Sequence, residues 1–332
     1  MIETIYIEDE IRTHPRARRL LDRFPAARVI PCERYTEVFN PAAQNFRLQK
    51  QNPALILARK HGNLVLAAPP ELAIGDGPGF YFSHMLNCLY DCRYCFLQGM
   101  FRSAHYVLFV NFEDFEAAID DTFAASGEKP VYFFSGYDCD SLALESFSGF
   151  VERFVPFFAA RPGAVLELRT KSVAIHGLLG MAPSPNVVVA FSFTPAEAAA
   201  TVEHGAPGVA QRLEAAAELA AAGWPIGIRL DPLLWYDGWR AGYATLIDAL
   251  AAAIPATAIH SASFGPLRFP SEMFQRIHRL YPDDLLLSGP LARRDDFVSY
   301  SGEREAELVD FVEERLARAF DGINVFPCRP GA

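Results

Sequence analysis

The sequence predicts an α/β protein with a parallel sheet built from six β/α units. Strand-like and helix-like segments alternate between residues 79 and 280, in the order that gives a parallel sheet. The predicted strands, such as Pro130–Ser135, are apolar runs with little alternation, which indicates burial on both faces. A cluster of cysteines directly follows the first of these strands. Because parallel barrels carry their chemistry at the carboxyl ends of the strands, we expect this cluster at the reactive end.

Residues 1–75 are predicted to form a small N-terminal extension that packs on the barrel. Within it, the apolar runs Leu55–Ala58 and Leu64–Ala67 flank the turn-like residues Lys60–Asn63, a pattern that predicts a β-hairpin. The glycine-rich segment Gly75–Gly79 then predicts a linker into the barrel.

The barrel core is predicted over residues 76–270, and a C-terminal helical and loop region over residues 271–332. Unbroken apolar runs identify the strands, and a period of about 3.6 residues identifies the helices. The six strands are then Gly79–His84, Pro130–Ser135, Val165–Arg169, Val187–Phe193, Pro225–Leu230 and Ile259–Phe264. The helices are Phe112–Ala125, Leu144–Ala160 with an interruption at Pro156, Gly208–Ala222, Trp239–Ala253, Ser271–Leu280 and Glu303–Phe320.

Composition and charge restrict the class of protein. The 332 residues are 51% hydrophobic, which is enough for a large core. The net charge of −10 is not the overall signature of a nucleic-acid binder. Six arginines between Arg12 and Arg28 form either a solvated helix face or a local phosphate-contacting patch. The N-terminal residues lack the pattern of a signal peptide, and no apolar run reaches membrane-spanning length, so we expect a cytoplasmic location and no membrane partner.

The most informative segment contains Cys88, Cys92 and Cys95, in a C-x3-C-x2-C spacing with an aromatic residue, Tyr94, before the last cysteine. Three thiolates at this spacing can bind three corners of a 4Fe–4S cluster. No fourth cysteine lies nearby in the sequence, so one iron is left open for another ligand. A zinc site and chance clustering of core cysteines are the alternatives, although zinc sites usually have a second ligand pair at a distance.

Several stretches along nearly the whole chain resemble the spore photoproduct lyase family of the radical S-adenosylmethionine (SAM) superfamily. The cysteine segment with its continuation Phe96-Leu-Gln98 carries the resemblance to the superfamily. The stretches that point to the family are Tyr6-Ile-Glu8, Val189-Ala-Phe-Ser-Phe-Thr-Pro195, Gly223-Trp-Pro-Ile-Gly227, Asp231-Pro232, Gly238-Trp239 and Gly242-Tyr243. The resemblance implies a partial (β/α)6 TIM-like barrel of the radical SAM type, with the cluster at its open end.

The resemblance also implies an activity. Cys88, Cys92 and Cys95 would bind the 4Fe–4S cluster, and S-adenosyl-L-methionine would chelate the fourth iron. Reductive cleavage of SAM, with electrons from a donor such as flavodoxin or ferredoxin, would give a 5′-deoxyadenosyl radical that abstracts hydrogen from the substrate. The expected substrate is a pyrimidine photoproduct in damaged DNA. The alternatives are a radical SAM enzyme that acts on a non-DNA substrate and a cluster-bearing sensor without turnover.

Further cofactor-binding positions are carried over from the family residue by residue. Lys171 matches a position that contacts the SAM carboxylate, Ser192 matches another cofactor contact, and Tyr94 would flank the cluster and the adenine. Ser135 and Gly136 end the second core strand, where the superfamily usually holds the methionine amino group, although its Gly-Gly-Glu pattern is absent here. Asp140 matches the family as a structural or cofactor-contacting group. Each of these residues also has an ordinary structural interpretation.

The chain departs from the family where hydrogen returns to the product. The family uses a cysteine after its second core strand and a tyrosine directly after the last cluster cysteine. These positions are Tyr137 and Phe96 here. Cys139 lies two residues beyond Tyr137, so both are candidate catalytic residues, with Cys139 as a displaced hydrogen donor.

Other residues receive more ordinary interpretations. The region 285–300 contains Arg293, Arg294 and Tyr300 but lacks a clear match to the family's lesion-binding sequence. We interpret Cys32, Cys328 and His84 as structural residues.

Overall fold

A curved sheet of eight strands contains the barrel in the computed structural model, which describes residues 2–127 and 130–328. In chain order the strands are β1 (Thr4–Glu8), β2 (Arg28–Cys32), β3 (Leu55–Ala58), β4 (Leu66–Ala67), β5 (Gly79–Tyr81), β6 (Met85–Leu86), β7 (Asp91–Cys92), β8 (Tyr106–Phe109), β9 (Val131–Phe134), β10 (Ala164–Thr170), β11 (Val187–Ser192), β12 (Glu203–His204), β13 (Ile226–Leu233), β14 (Ile259–Pro266), β15 (Arg268–Pro270), β16 (Ala292–Arg294), β17 (Phe297–Ser299) and β18 (Val325–Pro327).

The α-helices are α1 (Pro15–Arg23), α2 (Thr36–Phe39), α3 (Phe46–Gln51), α4 (Leu97–Met100), α5 (Phe112–Ala125), α6 (Glu145–Ser148), α7 (Phe150–Ala159), α8 (His176–Leu179), α9 (Ala196–Val202), α10 (Val209–Ala221), α11 (Trp239–Ala253), α12 (Ser271–Leu280) and α13 (Gly302–Ala319). Short 3-10 helices cover Asp9–Ile11, Pro70–Leu72 and Ala256–Ala258.

Six parallel strands make up the barrel, in the order β5-β9-β10-β11-β13-β14. The short antiparallel strand β4 and the parallel strand β18 extend its two edges. Residues Val187–Ser192 of β11 are all buried, as the unbroken apolar pattern predicted for strands covered on both faces. The predicted (β/α)6 barrel is therefore confirmed, and α5, α11 and α12 have the predicted bounds.

A second sheet, which the sequence pattern did not reveal, is formed by β2-β1-β3-β8-β6. The predicted hairpin of Leu55–Ala58 and Leu64–Ala67 is wrong, because β3 lies between β1 and β8 and pairs with both in parallel. Leu66–Ala67 instead pairs with β5 of the barrel. Since β3 is buried over its whole length, it needs strands on both sides. The domain boundary at residue 75 stays a prediction. Two strands of this sheet, β6 and β8, come after that residue in the chain.

The helical stretch between residues 144 and 160 is interrupted at a different residue from the one predicted. Pro156 lies inside α7, whereas the break falls at Gly149, which has a left-handed backbone with φ of 62°. The carboxylate of Glu145 then accepts hydrogen bonds from the backbone amides of Phe150 and Val151, which lack helical partners at the start of α7. Glycine without a side chain adopts this conformation with little strain, and so it decides the position of the break.

The aromatic core accounts for His84, which is 1% exposed. Its ring stacks on Phe150 with centroids 3.9 Å apart and meets Phe112 edge to face. The guanidinium of Arg16 lies over the ring of Phe112, 3.8 Å from its centroid. Arg16 is thus partly buried, while Arg12 and the other four arginines of the N-terminal run are exposed. Within the described residues, no helix is both long and apolar enough to cross a membrane.

Candidate active site

A cavity of about 590 Å³ opens at the carboxyl ends of the barrel strands. Its lining includes the three clustered cysteines and eight other residues singled out from the sequence: Tyr94, Phe96, Gly136, Tyr137, Cys139, Asp140, Lys171 and Ser192. All the predicted site residues therefore lie on one cavity, with Ser135 as the exception. The placement agrees with the rule that parallel barrels react at this end.

The cysteine loop is held by backbone pairing and by a lysine. Cys92 lies in β7, which pairs antiparallel with β12. The backbone amide of Cys95 donates to the carbonyl of Cys92 at 3.0 Å, which closes a turn between these two cysteines. The Nζ of Lys50 donates to the carbonyls of Cys88 and Tyr90, at 2.8 and 2.9 Å. These bonds fix the loop from outside and leave the thiols facing the cavity.

The donor set of this cavity fits a 4Fe–4S cluster. Burial raises the pKa of the Cys92 thiol to about 12 and raises that of Cys95. Such buried thiols become thiolates once a metal coordinates them. Within the described residues, no three His, Cys, Asp or Glu side chains converge on a point where one metal ion could bind. A 4Fe–4S cluster has no need of such a point, since each thiolate binds a different iron.

A buried polar network stands behind the loop and centres on Glu203, which is 5% exposed. Its carboxylate accepts hydrogen bonds from the hydroxyls of Tyr94 and Thr194 and forms an ion pair with Arg212, whose side chain is 1% exposed. Although burial opposes ionisation, Lys171 and Arg212 lower the pKa of Glu203. The sequence did not identify Glu203 or Arg212, because neither belongs to the motif.

Lys171 reaches the cavity beside Tyr94, with its Nζ 5.3 Å from the centroid of the tyrosine ring. Although burial opposes its charge, Glu203 and Cys92 raise the pKa of Lys171. The group therefore remains cationic next to the cysteines. A cation and an aromatic face at this position suit a ligand that carries a carboxylate and a flat ring.

Both carboxylate oxygens of Asp140 accept hydrogen bonds from other residues of the protein. One carboxylate oxygen accepts from the Thr170 hydroxyl at 2.6 Å and from the amides of Leu142 and Ala143 at 3.0 and 2.9 Å. The other accepts from the backbone amide of Lys171 at 2.6 Å. The geometry shows a structural task for Asp140, which is to join the ends of β9 and β10 and position Lys171.

Ser135 and Gly136 differ in access to the cavity. The Ser135 hydroxyl is fully buried, donates to the Glu167 carbonyl at 2.9 Å and contacts the Ser141 hydroxyl at 2.8 Å. Gly136 lines the cavity, and a Cβ there would lie 2.9 Å from the carbonyl oxygen of Arg169. The tight fit explains glycine at this position. A cofactor contact by Ser135 stays a prediction, which its bound hydroxyl does not support.

Cys139 and Tyr137 both line the cavity beyond the cysteine loop. The Cys139 thiol is 6% exposed and donates to the Ser135 carbonyl at 3.5 Å, and burial raises its pKa well above the ordinary value. The Tyr137 ring contacts the rings of Tyr81 and Phe96, with centroids 4.4 and 5.6 Å apart. A protonated thiol and a phenol thus face the same space.

Comparison with known proteins agrees with this geometry. The family model described as spore photoproduct lyase matches residues 80–314. The spore photoproduct lyase of Bacillus subtilis (strain 168) is 25% identical over 289 residues, which cover 84% of this chain and 82% of that protein. The one from Geobacillus sp. (strain Y412MC61) is 24% identical over 249 residues, which cover 72% of this chain and 73% of that protein.

A solved structure of a spore photoproduct lyase mutant with bound AdoMet and dinucleoside spore photoproduct has the same fold. It matches with a TM-score of 0.87 and 19% identity, over 98% of each chain. The family match includes the cysteine loop and the barrel strands from residue 80 onward, so it contains the whole candidate site. The predicted resemblance is confirmed, and the chain belongs to the spore photoproduct lyase family.

Proposed function

We propose that this protein is a radical SAM enzyme that repairs a pyrimidine photoproduct in DNA. The observation that supports this most directly is one cavity that joins three loop cysteines, a cationic Lys171 and a fourth thiol, Cys139. Cys88, Cys92 and Cys95 would hold the 4Fe–4S cluster. When bound, the cluster and SAM supply the radical that removes a hydrogen atom from the substrate.

The chain's own residues would bind and orient the cofactor. Lys171 offers a positive charge to the SAM carboxylate, and the ring of Tyr94 lies beside it. Ser192, at the end of β11, faces the same cavity and offers a hydroxyl. The apolar lining, which includes Leu97 and Met100, limits the access of water to a reactive site.

Cys139 would return the hydrogen atom to the repaired product. The thiol faces the cavity and is kept protonated by burial, as a hydrogen-atom donor requires. Homolysis of its S–H bond transfers one hydrogen atom to the product radical and leaves a thiyl radical on Cys139. Tyr137 carries an O–H group at the same cavity and would restore the thiol by the same kind of transfer. The radical then left on Tyr137 would be returned to the phenol by one further hydrogen atom, for which the bound cofactor would be the source.

The relatives support the DNA lesion as substrate, because those compared carry the name spore photoproduct lyase, and one structure contains the dinucleoside photoproduct. A second candidate is a radical SAM enzyme that acts on another substrate. It is favoured by Phe96 and Tyr137, which replace the family's hydrogen-return pair. We further propose an electron donor of the flavodoxin or ferredoxin type and a cytoplasmic location, where reducing conditions protect the cluster.

The test begins with anaerobic reconstitution of the protein, which should bind about four irons. Cys92→Ala should lose the cluster, while Cys32→Ala, a buried cysteine outside the cavity lining, should retain it. Reduction with dithionite in the presence of SAM should yield 5′-deoxyadenosine. The protein should then remove spore photoproduct from UV-irradiated DNA. Cofactor cleavage without loss of the lesion would favour the second candidate, and iron without cofactor cleavage would favour a sensor.

A further inference from the structure

The cavity wall on the far strands of the barrel carries one strong donor and one strong acceptor. Arg169 lies near the end of β10 and Asp231 near the end of β13, and β11 runs between them. Both side chains line the cavity that the cysteines share. The cysteine loop and Cys139 instead follow β5 and β9, the first two strands of the barrel. The cavity thus has a thiol side and a second, polar side.

Arg169 is fixed at one nitrogen only. Its Nε donates to Oε1 of Glu167 at 2.8 Å, and the other oxygen of Glu167 accepts from Nη2 of Arg229 at 2.7 Å. Glu167 and Arg229 are 1% and 0% exposed, so this base is rigid and shielded from water. Within the described residues, no hydrogen bond or ion pair occupies the two terminal nitrogens of Arg169. The guanidinium is therefore positioned with its outer donors available to a ligand.

Asp231 is the matching acceptor. No hydrogen bond or ion pair reaches its carboxylate from the part of the chain that the structure describes. Its Oδ1 lies beside Gly265, 3.6 Å from where a Cβ would stand. Asp231 and Arg169 form no ion pair within 4.0 Å. Although burial acts to lower it, the pKa of Arg169 is raised by the charge of Glu167 and then by that of Asp231. This half-buried carboxylate faces the cavity and is available to accept a hydrogen bond from a ligand.

The chemistry of the ligand follows from this pair. A carboxylate or phosphate would be repelled by Asp231, and an ammonium group by Arg169. A neutral group with an N–H donor next to a C=O acceptor satisfies both side chains at once. The imide edge of thymine or uracil has this pattern, with N3–H between two carbonyl oxygens. Dimerisation of thymines by UV light joins carbon atoms and leaves that edge intact.

We propose that Asp231 and Arg169 read the imide edge of the pyrimidine lesion, with Asp231 accepting from N3–H and Arg169 donating to an adjacent carbonyl oxygen. This inference rests on the proposed function and names the residues that select its substrate. Enzymes that act on an extruded base commonly read its Watson–Crick edge by hydrogen bonds. The adenine of SAM also presents an N–H next to an acceptor, so the same pair could serve the cofactor, and the experiment must separate the two sources.

The experiment uses reconstituted, SAM-loaded protein and the dinucleoside spore photoproduct, with and without methylation at N3. Wild type should discriminate against the N3-methylated compound by about 100-fold or more in kcat/KM, because a site built for an N–H rejects a ligand that lacks one. Asp231→Ala should lower kcat/KM for the unmethylated compound by about 10- to 100-fold and remove most of that discrimination. Asp231→Asn keeps one acceptor oxygen and should lie between the two.

Three readouts and one control variant establish that the loss belongs to substrate recognition. In Asp231→Ala, the iron content, the Kd for SAM and the yield of 5′-deoxyadenosine without substrate should all stay close to those of wild type. Asp237→Ala removes an exposed carboxylate six residues further along the chain and should leave repair unchanged. Loss of iron from Asp231→Ala with retention in Asp231→Asn would identify a folding defect in Asp231→Ala. The kcat/KM values of Asp231→Asn for the two compounds then decide whether Asp231 recognises the base.

Several results would overturn the proposal. If the Kd for SAM rises in parallel with the loss of repair, the pair serves the adenine. If Asp231→Ala repairs both compounds as wild type does, base reading is wrong while the proposed function stands. If wild type cleaves SAM but neither binds nor repairs the photoproduct, the proposed function and this inference fail together.

Discussion

Removal of the Glu203 carboxylate should destabilise the protein far more than removal of a surface carboxylate. Glu203 and Arg212 form an ion pair whose two side chains are each 1% exposed. Loss of one partner from a buried pair typically costs about 3–5 kcal/mol, because the other charge stays buried and unpaired. The hydroxyls of Tyr94 and Thr194 lose their acceptor in the same substitution. We therefore expect Glu203→Ala to lower the free energy of unfolding by about 4 kcal/mol.

Glu307→Ala provides the matched control. Glu307 pairs with Arg240 on the surface, where the two side chains are 39% and 53% exposed. Pairs exposed to this extent contribute about 0–1 kcal/mol, since water and salt screen them. Glu203→Gln should fall between the two substitutions, because an amide oxygen can still accept from Tyr94 while the charge that balances Arg212 is gone.

The assay is anaerobic urea unfolding of the cluster-free protein, followed by both fluorescence and circular dichroism, so that cluster loss makes no contribution. A second measurement follows cluster retention during dilution of the reconstituted protein. Because β12, which begins at Glu203, pairs with β7, which contains Cys92, Glu203→Ala should lose iron faster than Glu307→Ala. A change in unfolding free energy below about 1 kcal/mol for Glu203→Ala would refute the idea that this ion pair anchors the loop.

Three other substitutions test separate parts of the structure. Burial, with a smaller effect of Arg16, lowers the pKa of His84 to about 3, so the stability that depends on neutral His84 is present above pH 6.5 and is lost toward pH 3. Wild type should therefore lose up to about 5 kcal/mol of stability across that pH range. In thermal unfolding, the stability of His84→Phe should depend less on pH. Although burial opposes ionisation, Arg169 and Arg229 lower the pKa of Glu167 to about 2. The stability that ionised Glu167 contributes is therefore present above pH 4.5, and about 3 kcal/mol of it is lost toward pH 2. Glu167→Gln should be less stable than wild type at neutral pH and should lack that pH-dependent loss. Cys139→Ala should retain wild-type iron and cofactor cleavage but form no repaired product; a fall in iron content would instead make Cys139 a cluster ligand.

The barrel could be predicted because its strands and helices carry their signals locally. The unbroken apolar run of β11 and the periodic pattern of α11 depend on nearby residues, and both elements formed where expected. The second sheet had no such signal. Strand β3 pairs with residues 5–7 and 106–109, about fifty residues away on either side, so its local pattern suggested the nearest apolar run as a partner. Pairing between distant strands is decided by the whole fold.

The candidate site likewise contains residues that the sequence could predict and residues that it could not. Three cysteines at fixed spacing predict a metal-binding loop by themselves, and the family resemblance pointed to Lys171. Cys139 was named only because it lies two residues beyond Tyr137, the position that matches the family's cysteine. Glu203 could not be found, because a single acid after an alanine-rich helix has no distinctive pattern. Its importance arises only when folding brings it to Tyr94 and Arg212, which lie 109 and 9 residues away in sequence.

The two departures from the family pattern are coupled in space. The family resemblance predicts that Tyr137 replaces the family's cysteine and Phe96 its tyrosine, and these two rings contact each other in the structure. Cys139 brings a thiol back to the same cavity two residues further along the loop. The cavity therefore still contains one thiol outside the cysteine loop, together with a phenol two residues away in the chain, although both have moved. Because the thiol of Cys139 and the phenol of Tyr137 share this cavity, their arrangement supports our proposal of a relocated hydrogen donor, even though the replaced pair itself points toward another substrate.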